Sequence, residues 1–223
     1  MDWALEQMRY ATIVADPPWD HSDGTGYSYG PDASVERSKS AVRGSTAPGY
    51  GHMTLAEIAA LPIPDLAERD SHLYLWTTQR YLRDSFDLVA GWGFSVSATL
   101  TWCKAPMGFM GGAFRSSTEF IQFARRGTLA HKTQAPSRWF TWSRVGWTQS
   151  DPQAKHSRKP DAFIDLVESV SPGPYLELFA RRARFGWDYW GDESLQTVDV
   201  LDGERPTAEQ VAYFKRLHAE DVA

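Results

Sequence analysis

Tyr10-Ala11-Thr12-Ile13-Val14-Ala15, followed by Asp16-Pro17-Pro18-Trp19, is the stretch on which the reading of the whole chain turns. The first six residues are mostly apolar and partly β-branched, which predicts a short buried strand. Two prolines then end it, because neither carries an N–H to continue a ladder. An acidic side chain, a stiffened turn and an indole are thereby expected together at the strand's carboxyl end.

Moving outward, residues 20–51 are rich in Gly, Ser, Asp and Pro and show no periodicity, so a long loop is expected there. Thr54 and Glu57 form a capping box that opens a helix running to about Leu61. His72–Thr77 predicts a second buried strand, 80–91 a helix with Leu82, Phe86, Val89 and Ala90 on one side, and 94–103 a third strand. A second glycine-rich loop covers 106–117. Strands are expected over 119–125, weakly over 138–142, and over 175–180, with a helix from Pro160 to Val170 between the last two. Alternating strands and helices predict an α/β domain with a largely parallel sheet, whose ligands bind at the carboxyl ends of its strands. One domain would occupy 1–195, with a polar linker and a terminal helix, opened by Thr207 and Gln210, in 196–223.

The 223 residues suit one globular domain, and 42% hydrophobic residues suffice for a core. A net charge of −5 argues against a protein that coats nucleic acid non-specifically, though local basic patches remain compatible with it. One cysteine, Cys103, excludes an internal disulfide and fits a reducing, cytoplasmic setting. Cys103 itself reads as packing. Six scattered histidines show no ligand spacing, so no metal site is expected. No apolar run is long enough for a signal peptide or a membrane span.

Asp16-Pro17-Pro18-Trp19 suits one demanding reaction. The exocyclic amine of adenine is a poor nucleophile because its lone pair is delocalised into the ring. Two acceptors aimed at its N–H groups favour a pyramidal nitrogen and free that pair. The Asp16 carboxylate and the Pro17 carbonyl can supply them, with Pro17 and Pro18 fixing the turn and Trp19 stacking on a base drawn out of its helix. Methyl transfer by in-line displacement then depends on positioning and electrostatics. The plainer alternative is a proline turn with Trp19 in the core.

The chain resembles the MT-A family of S-adenosylmethionine-dependent N6-adenine methyltransferases, which includes the eukaryotic messenger-RNA enzyme and bacterial and phage members. The resemblance rests on an ordered set: Ala15 to Trp19, Tyr50-Gly-His-Met-Thr54, Leu73-Tyr-Leu-Trp76, Trp102-Cys-Lys104, Glu119, Ser157-Arg-Lys-Pro160, Glu177-Leu-Phe-Ala-Arg181 and Trp190-Gly-Asp192. It implies a Rossmann-like, class I methyltransferase fold with the permuted, β-class-like motif order in which the catalytic turn precedes the cofactor strand.

The same resemblance implies roles. Lys159 would hold the cofactor's carboxylate, where a lysine beside a helix start favours an anion; an exposed basic turn is the alternative. Glu177, Phe179, Arg181, Arg184, Asp192 and Glu193 would line the cofactor with Asp16. Here Gly191-Asp192-Glu193 replaces the Gly-Asn-Gln of eukaryotic members, and Arg184 lies where they have a nearby neutral Asn. Tyr50, Trp76, Trp102, Glu119 and Ser157 would line the target-adenosine pocket, with core packing the alternative for the two tryptophans. A buried Glu119 would need partners. DNA is the expected substrate, with RNA the second reading and a non-catalytic nucleic-acid-binding partner the third. The further partners expected are a second copy of the chain, as a homodimer, or a separate specificity subunit, with low sequence specificity the alternative.

Overall fold

The computed structural model describes residues 9–19, 52–104, 117–142, 159–181 and 184–191. The expected strand forms as β1 (Tyr10–Ala15), with all six residues buried. It lies inside a seven-stranded sheet of order β5-β3-β4-β2-β1-β6-β7. The other strands are β2 (Ala67–Thr77), β3 (Ser95–Cys103), β4 (Thr118–Arg126), β5 (Trp139–Phe140), β6 (Tyr175–Leu178) and β7 (Trp187–Trp190), and the helices are α1 (Leu55–Ala59), α2 (Ile63–Leu66), α3 (Leu82–Gly91) and α4 (Asp161–Val170).

β1 pairs in parallel with β2 and β6, β6 with β7, and β3 with β5, whereas β4 is antiparallel to both β2 and β3. Six strands therefore share one direction and β4 alone is reversed, so the expectation of a largely parallel, Rossmann-like sheet holds. This arrangement gathers the carboxyl ends of β1, β2, β3, β5, β6 and β7 along one edge, together with the start of β4. From β1 the chain passes to β2 on one side, and from β6 it passes to β7 on the other. The crevice between the ends of β1 and β6 is the switch point at which such sheets bind ligands.

Successive residues of the central strands face opposite layers. Leu73 and Leu75 join Ile13, Ile58, Leu88, Val89 and Leu176 in one apolar cluster. Tyr74 and Trp76 join Val14, Trp102, Ile121, Phe163, Val167 and Tyr189 in the other, beneath α4. The capping box forms as expected: Glu57 N–H donates to the Thr54 hydroxyl, and the Thr54 N–H donates back to Glu57 at 2.7 Å. Among the described residues no helix is long and apolar enough to cross a membrane.

Three elements differ from the sequence reading. β2 begins five residues earlier: Ala67 and Ser71 are buried, while the charged Glu68, Arg69 and Asp70 between them stay partly or fully open to solvent. α2 fits into a segment where Pro62 suggested only a stop; prolines are tolerated in a first helical turn. β7 stands where no strand was expected, held by Trp187 stacked on Tyr175 at 4.7 Å and by Asp188 accepting from the Tyr10 hydroxyl at 3.0 Å. The second capping box, both glycine-rich loops and the terminal helix lie outside the described residues.

Candidate active site

The turn after β1 is tightly held. Asp16 N–H donates toward the Leu178 carbonyl at 3.5 Å, Trp19 N–H to the Pro17 carbonyl at 2.9 Å, and Met53 N–H to the Pro18 carbonyl at 3.0 Å. The Pro17 carbonyl thus spends one lone pair inside the turn and keeps the second. Trp19 and Met53 also form an isolated parallel bridge, so the chain departs from and returns to the same point beside Asp16.

Four charged side chains from four parts of the chain converge on this edge. Lys159 Nζ, just ahead of α4, lies 2.8 Å from Asp16 Oδ2 and 3.4 Å from Glu119 Oε2. The other oxygen of Glu119 is paired with Lys104, at the end of β3. All four are largely buried, with side-chain exposures between 12% and 17%. Two tryptophans lie beneath them: Lys159 is 5.1 Å from the Trp76 ring centroid, and Lys104 is 5.1 Å from that of Trp102. The two rings meet edge to face at 5.9 Å and 84°.

Burial is the strongest influence on Asp16 and raises its pKa above the usual carboxylate value, although Lys159 pulls the other way and Glu119 adds repulsion. Burial also works against a charged Glu119, but Lys159 and Lys104 together outweigh it and hold this carboxyl below its ordinary range. Lys159 pays the same desolvation cost and is nevertheless held protonated by Asp16 and Glu119, with its pKa raised. The division follows from simple counting. Glu119 has two ammonium partners at its oxygens, whereas Asp16 shares one. Arg181, following β6, contributes to the field at both Asp16 and Lys159.

The turn after β6 supplies the opposite wall. Phe179 has φ 62°, the left-handed conformation that side chains seldom adopt, and its ring meets Trp190 edge on at 5.4 Å. Ala180 N–H donates to the Trp190 carbonyl at 3.1 Å. Gly191 passes so close that a Cβ there would lie 2.7 Å from the Ala180 backbone N and O.

The structure thus brings together Asp16, Pro17, Pro18, Trp76, Trp102, Glu119, Lys159 and Arg181, with Phe179 at the neighbouring turn. Glu177 lies two residues before that turn, in register with Val14 and Tyr189. Tyr50, Ser157, Asp192 and Glu193 lie outside the described residues.

Two expectations need correction, and for two tryptophans the core alternative is the one seen. Trp19 is not an open platform for a base: it is 5% exposed, stacks on Tyr81 at 4.9 Å, and donates its indole N–H to the Trp76 carbonyl at 3.2 Å. It clamps the proline turn to the end of β2. Arg184, expected among the cofactor contacts, is engaged by α4 instead. The crossover from β6 to β7 carries it onto α4, where its Nε and Nη2 grip Glu168 at 2.9 and 2.6 Å and its Nη2 also meets Asp165 at 2.7 Å. Trp76 and Trp102, 1% and 3% exposed, form the floor of the site through the lysines above them. Trp102 donates to the Trp142 carbonyl at 2.9 Å, while the buried Trp76 indole N–H has no partner among the described residues.

Lys104 received no role from the sequence. A signal was present: Trp102 and Lys104 share one face at the end of β3, and Glu119 opens the strand that pairs back onto it, opposite Trp102.

A mostly parallel sheet with one reversed strand, carrying Asp-Pro-Pro-Trp at its switch point, defines a Rossmann-like methyltransferase. The comparison with known families is specific: the MT-A70 signature matches residues 10–193, and the chain belongs to this family of N6-adenine methyltransferases. It is 30% identical to the type II methyltransferase M.MunI of Mycoplasma sp over 85% of this chain and 79% of that protein. It is 28% identical to the human N(6)-adenine-specific methyltransferase METTL4 over 86% of this chain and 39% of that protein. It is 30% identical to the N6-methyladenosine RNA methyltransferase MTA1 of Cryphonectria parasitica over 87% of this chain and 54% of that protein. The chain therefore spans most of the first relative but only about half or less of the other two.

The chemistry at the switch point fits the family's cofactor, S-adenosylmethionine. A buried lysine and Arg181 offer cations for its carboxylate, and Asp16 offers an anion near its sulfonium. Among the described residues no cluster of three His, Cys, Asp or Glu could hold a metal ion.

Proposed function

We propose that this protein transfers a methyl group from S-adenosylmethionine to the N6 amine of adenine in DNA, at the edge where Asp16 meets Lys159. The observation that carries the reading is the buried pairing of these two side chains at 2.8 Å beside the proline turn. Bound there, the cofactor supplies an electrophilic methyl on sulfur. Lys159 holds its carboxylate, and Arg181 strengthens the positive field on the β6 side. Phe179, Glu177, Asp192 and Glu193 are the chain's remaining candidates for contact with its ribose and adenine.

On the substrate side, Asp16 accepts from one N–H of the target amine, and the free lone pair of the Pro17 carbonyl accepts from the other. This favours a pyramidal nitrogen and directs its lone pair outward. Pro17 and Pro18 fix the carbonyl, and Trp19 fixes the turn from behind. Once methylated, the nitrogen carries a positive charge and is strongly acidic. Asp16, whose pKa burial raises, is placed to take the proton. Glu119 stays ionised between its two lysines and keeps the site close to neutral. Tyr50 and Ser157 are the further candidates for contact with the target nucleoside.

DNA is favoured by the likeness to a named type II methyltransferase, 79% of which the chain covers. RNA is the second reading, favoured by the equal identity to a named RNA methyltransferase. The target sequence is then selected by a second copy of the chain or by a separate subunit. Labelled S-adenosylmethionine incubated with matched DNA and RNA oligonucleotides tests the proposal. Label in N6-methyladenine from DNA, at least tenfold over RNA, supports it. Transfer to RNA alone overturns the choice of substrate, and no transfer to either overturns the activity.

A further inference from the structure

We infer that Lys104 is a positioning residue for methyl transfer: by gripping one oxygen of Glu119 it aims the other at Lys159, and so keeps Lys159 shared between Glu119 and Asp16. This rests on the roles proposed above for Asp16 and Lys159, and extends them to a residue that would touch neither substrate nor cofactor.

Lys104 is fixed from two directions. Its backbone N–H donates to the Ser117 carbonyl at 2.7 Å, which extends the β3–β4 ladder one step past Cys103 and Thr118. Its ammonium lies over the Trp102 ring. Glu119 is on the facing strand, opposite Trp102, so the ammonium reaches Oε1 while Oε2 remains for Lys159. The result is an alternating chain of charges, Asp16, Lys159, Glu119 and Lys104, after β1, ahead of α4, on β4 and after β3. Arg181, after β6, is the further cation acting on Asp16 and Lys159.

Removing the Lys104 charge leaves two buried carboxylates sharing one ammonium and Arg181. The first proton to bind that pair then does so at a higher pH, because a nearby cation that favoured ionisation is gone. When Glu119 takes that proton, Lys159 loses one anionic partner and draws more strongly on Asp16. It then competes with the adenine amine for the catalytic carboxylate. The expected effect is on turnover and its pH dependence more than on affinity.

The test is kcat as a function of pH at saturating S-adenosylmethionine and oligonucleotide, for Lys104→Met, Lys104→Arg, Glu119→Gln and the double variant Lys104→Met/Glu119→Gln. Lys104→Met should move the acid limb up by about one pH unit, so that kcat falls up to about tenfold at pH values below the limb. The KM for the cofactor should change less than threefold, and Lys104→Arg should restore the limb. In the Glu119→Gln background the Lys104 change should have little further effect, because both act through one carboxylate. Lys104→Gln gives the same reading should the Met variant fail to fold. An unmoved acid limb, or a Lys104 effect that adds in full to that of Glu119→Gln, overturns the inference. Asp16→Asn is assayed alongside. Wild-type turnover in that variant defeats the catalytic reading itself, whereas an inactive Asp16→Asn with an unmoved Lys104 limb defeats only the role of Lys104.

Discussion

An alanine at position 191 would bring its Cβ to 2.7 Å from the Ala180 N and O and 2.9 Å from the Phe179 carbonyl carbon. No flexible side chain is there to step aside. The neighbours are the backbone of the turn after β6, where Phe179 is already left-handed and Ala180 is bonded to Trp190. Carbon–carbon contacts settle at about 3.5–4.0 Å, so the end of β7 and this turn must part by roughly 0.5–1 Å. Overpacking of this kind costs about 1–3 kcal/mol, and weakening the Ala180–Trp190 bond adds about 1 kcal/mol. At about 2–4 °C per kcal/mol for a chain of this size, Gly191→Ala should lower Tm by roughly 5–15 °C. The same displacement moves Phe179 and Arg181, so cofactor affinity should fall about tenfold or more. Calorimetric unfolding and titration with S-adenosylmethionine measure both effects. Gly91→Ala is the control, since nothing lies within 4 Å of the added carbon; it should leave Tm unchanged or slightly raised. A Gly191→Ala protein that melts within a degree of wild type and binds cofactor as well would refute the close approach and the role given to this turn.

Further outcomes follow from the charges. Burial raises the Asp16 pKa, so turnover should fall with decreasing pH at values above the ordinary carboxylate range; a rate that stays flat down to pH ~4 would contradict this. His72 is held neutral by burial, with its pKa lowered to about 4, between the Ser171 hydroxyl at 2.8 Å and the Leu129 carbonyl at 3.2 Å. A lowered folded-state pKa gives stability that is complete above the unfolded value of 6.5 and is lost as pH falls toward 4. Its share of the unfolding free energy should drop by about 1–2 kcal/mol between pH 7.5 and pH 5, and urea unfolding of His72→Gln should lack that part of the dependence. Arg184→Ala should cost about 1 kcal/mol, the worth of a well-formed but partly exposed ion pair, and change cofactor affinity less than twofold. A tenfold loss of cofactor affinity would return Arg184 to the binding site.

What the sequence revealed and what it hid have physical causes. β1 was legible because a buried central strand is an unbroken apolar run and two prolines mark its end. β2 was legible only in its last six residues, since Glu68, Arg69 and Asp70 resemble a loop until the strand pairing is known. β7 is four residues long and follows a basic run, too short for a periodicity to register. Asp16 could be picked out because it stands between a buried strand and two prolines, whereas Glu119 and Lys159 stand out through the family resemblance, their own surroundings reading equally well as a strand start and an exposed basic turn. Which of them would pair is a matter of tertiary structure, and only the sheet order brings Lys159 to Asp16. Trp19 shows the limit most clearly. An indole after two prolines can face a ligand or the core, and Tyr81, just ahead of α3, decides the question from a distant part of the chain. Arg184 was similarly undecided until the crossover carried it to Glu168.

The most direct measurement is transfer of a labelled methyl group to an adenine-containing oligonucleotide by wild-type and Asp16→Asn proteins. Hydrolysis of the product identifies the methylated atom, and a parallel titration confirms that the variant still binds cofactor. The account predicts N6-methyladenine from the wild type and a loss of at least about 100-fold in Asp16→Asn, the scale of losing an oriented acceptor at a reacting group. Near-wild-type transfer by that variant, or label on any other atom of the base, would contradict it.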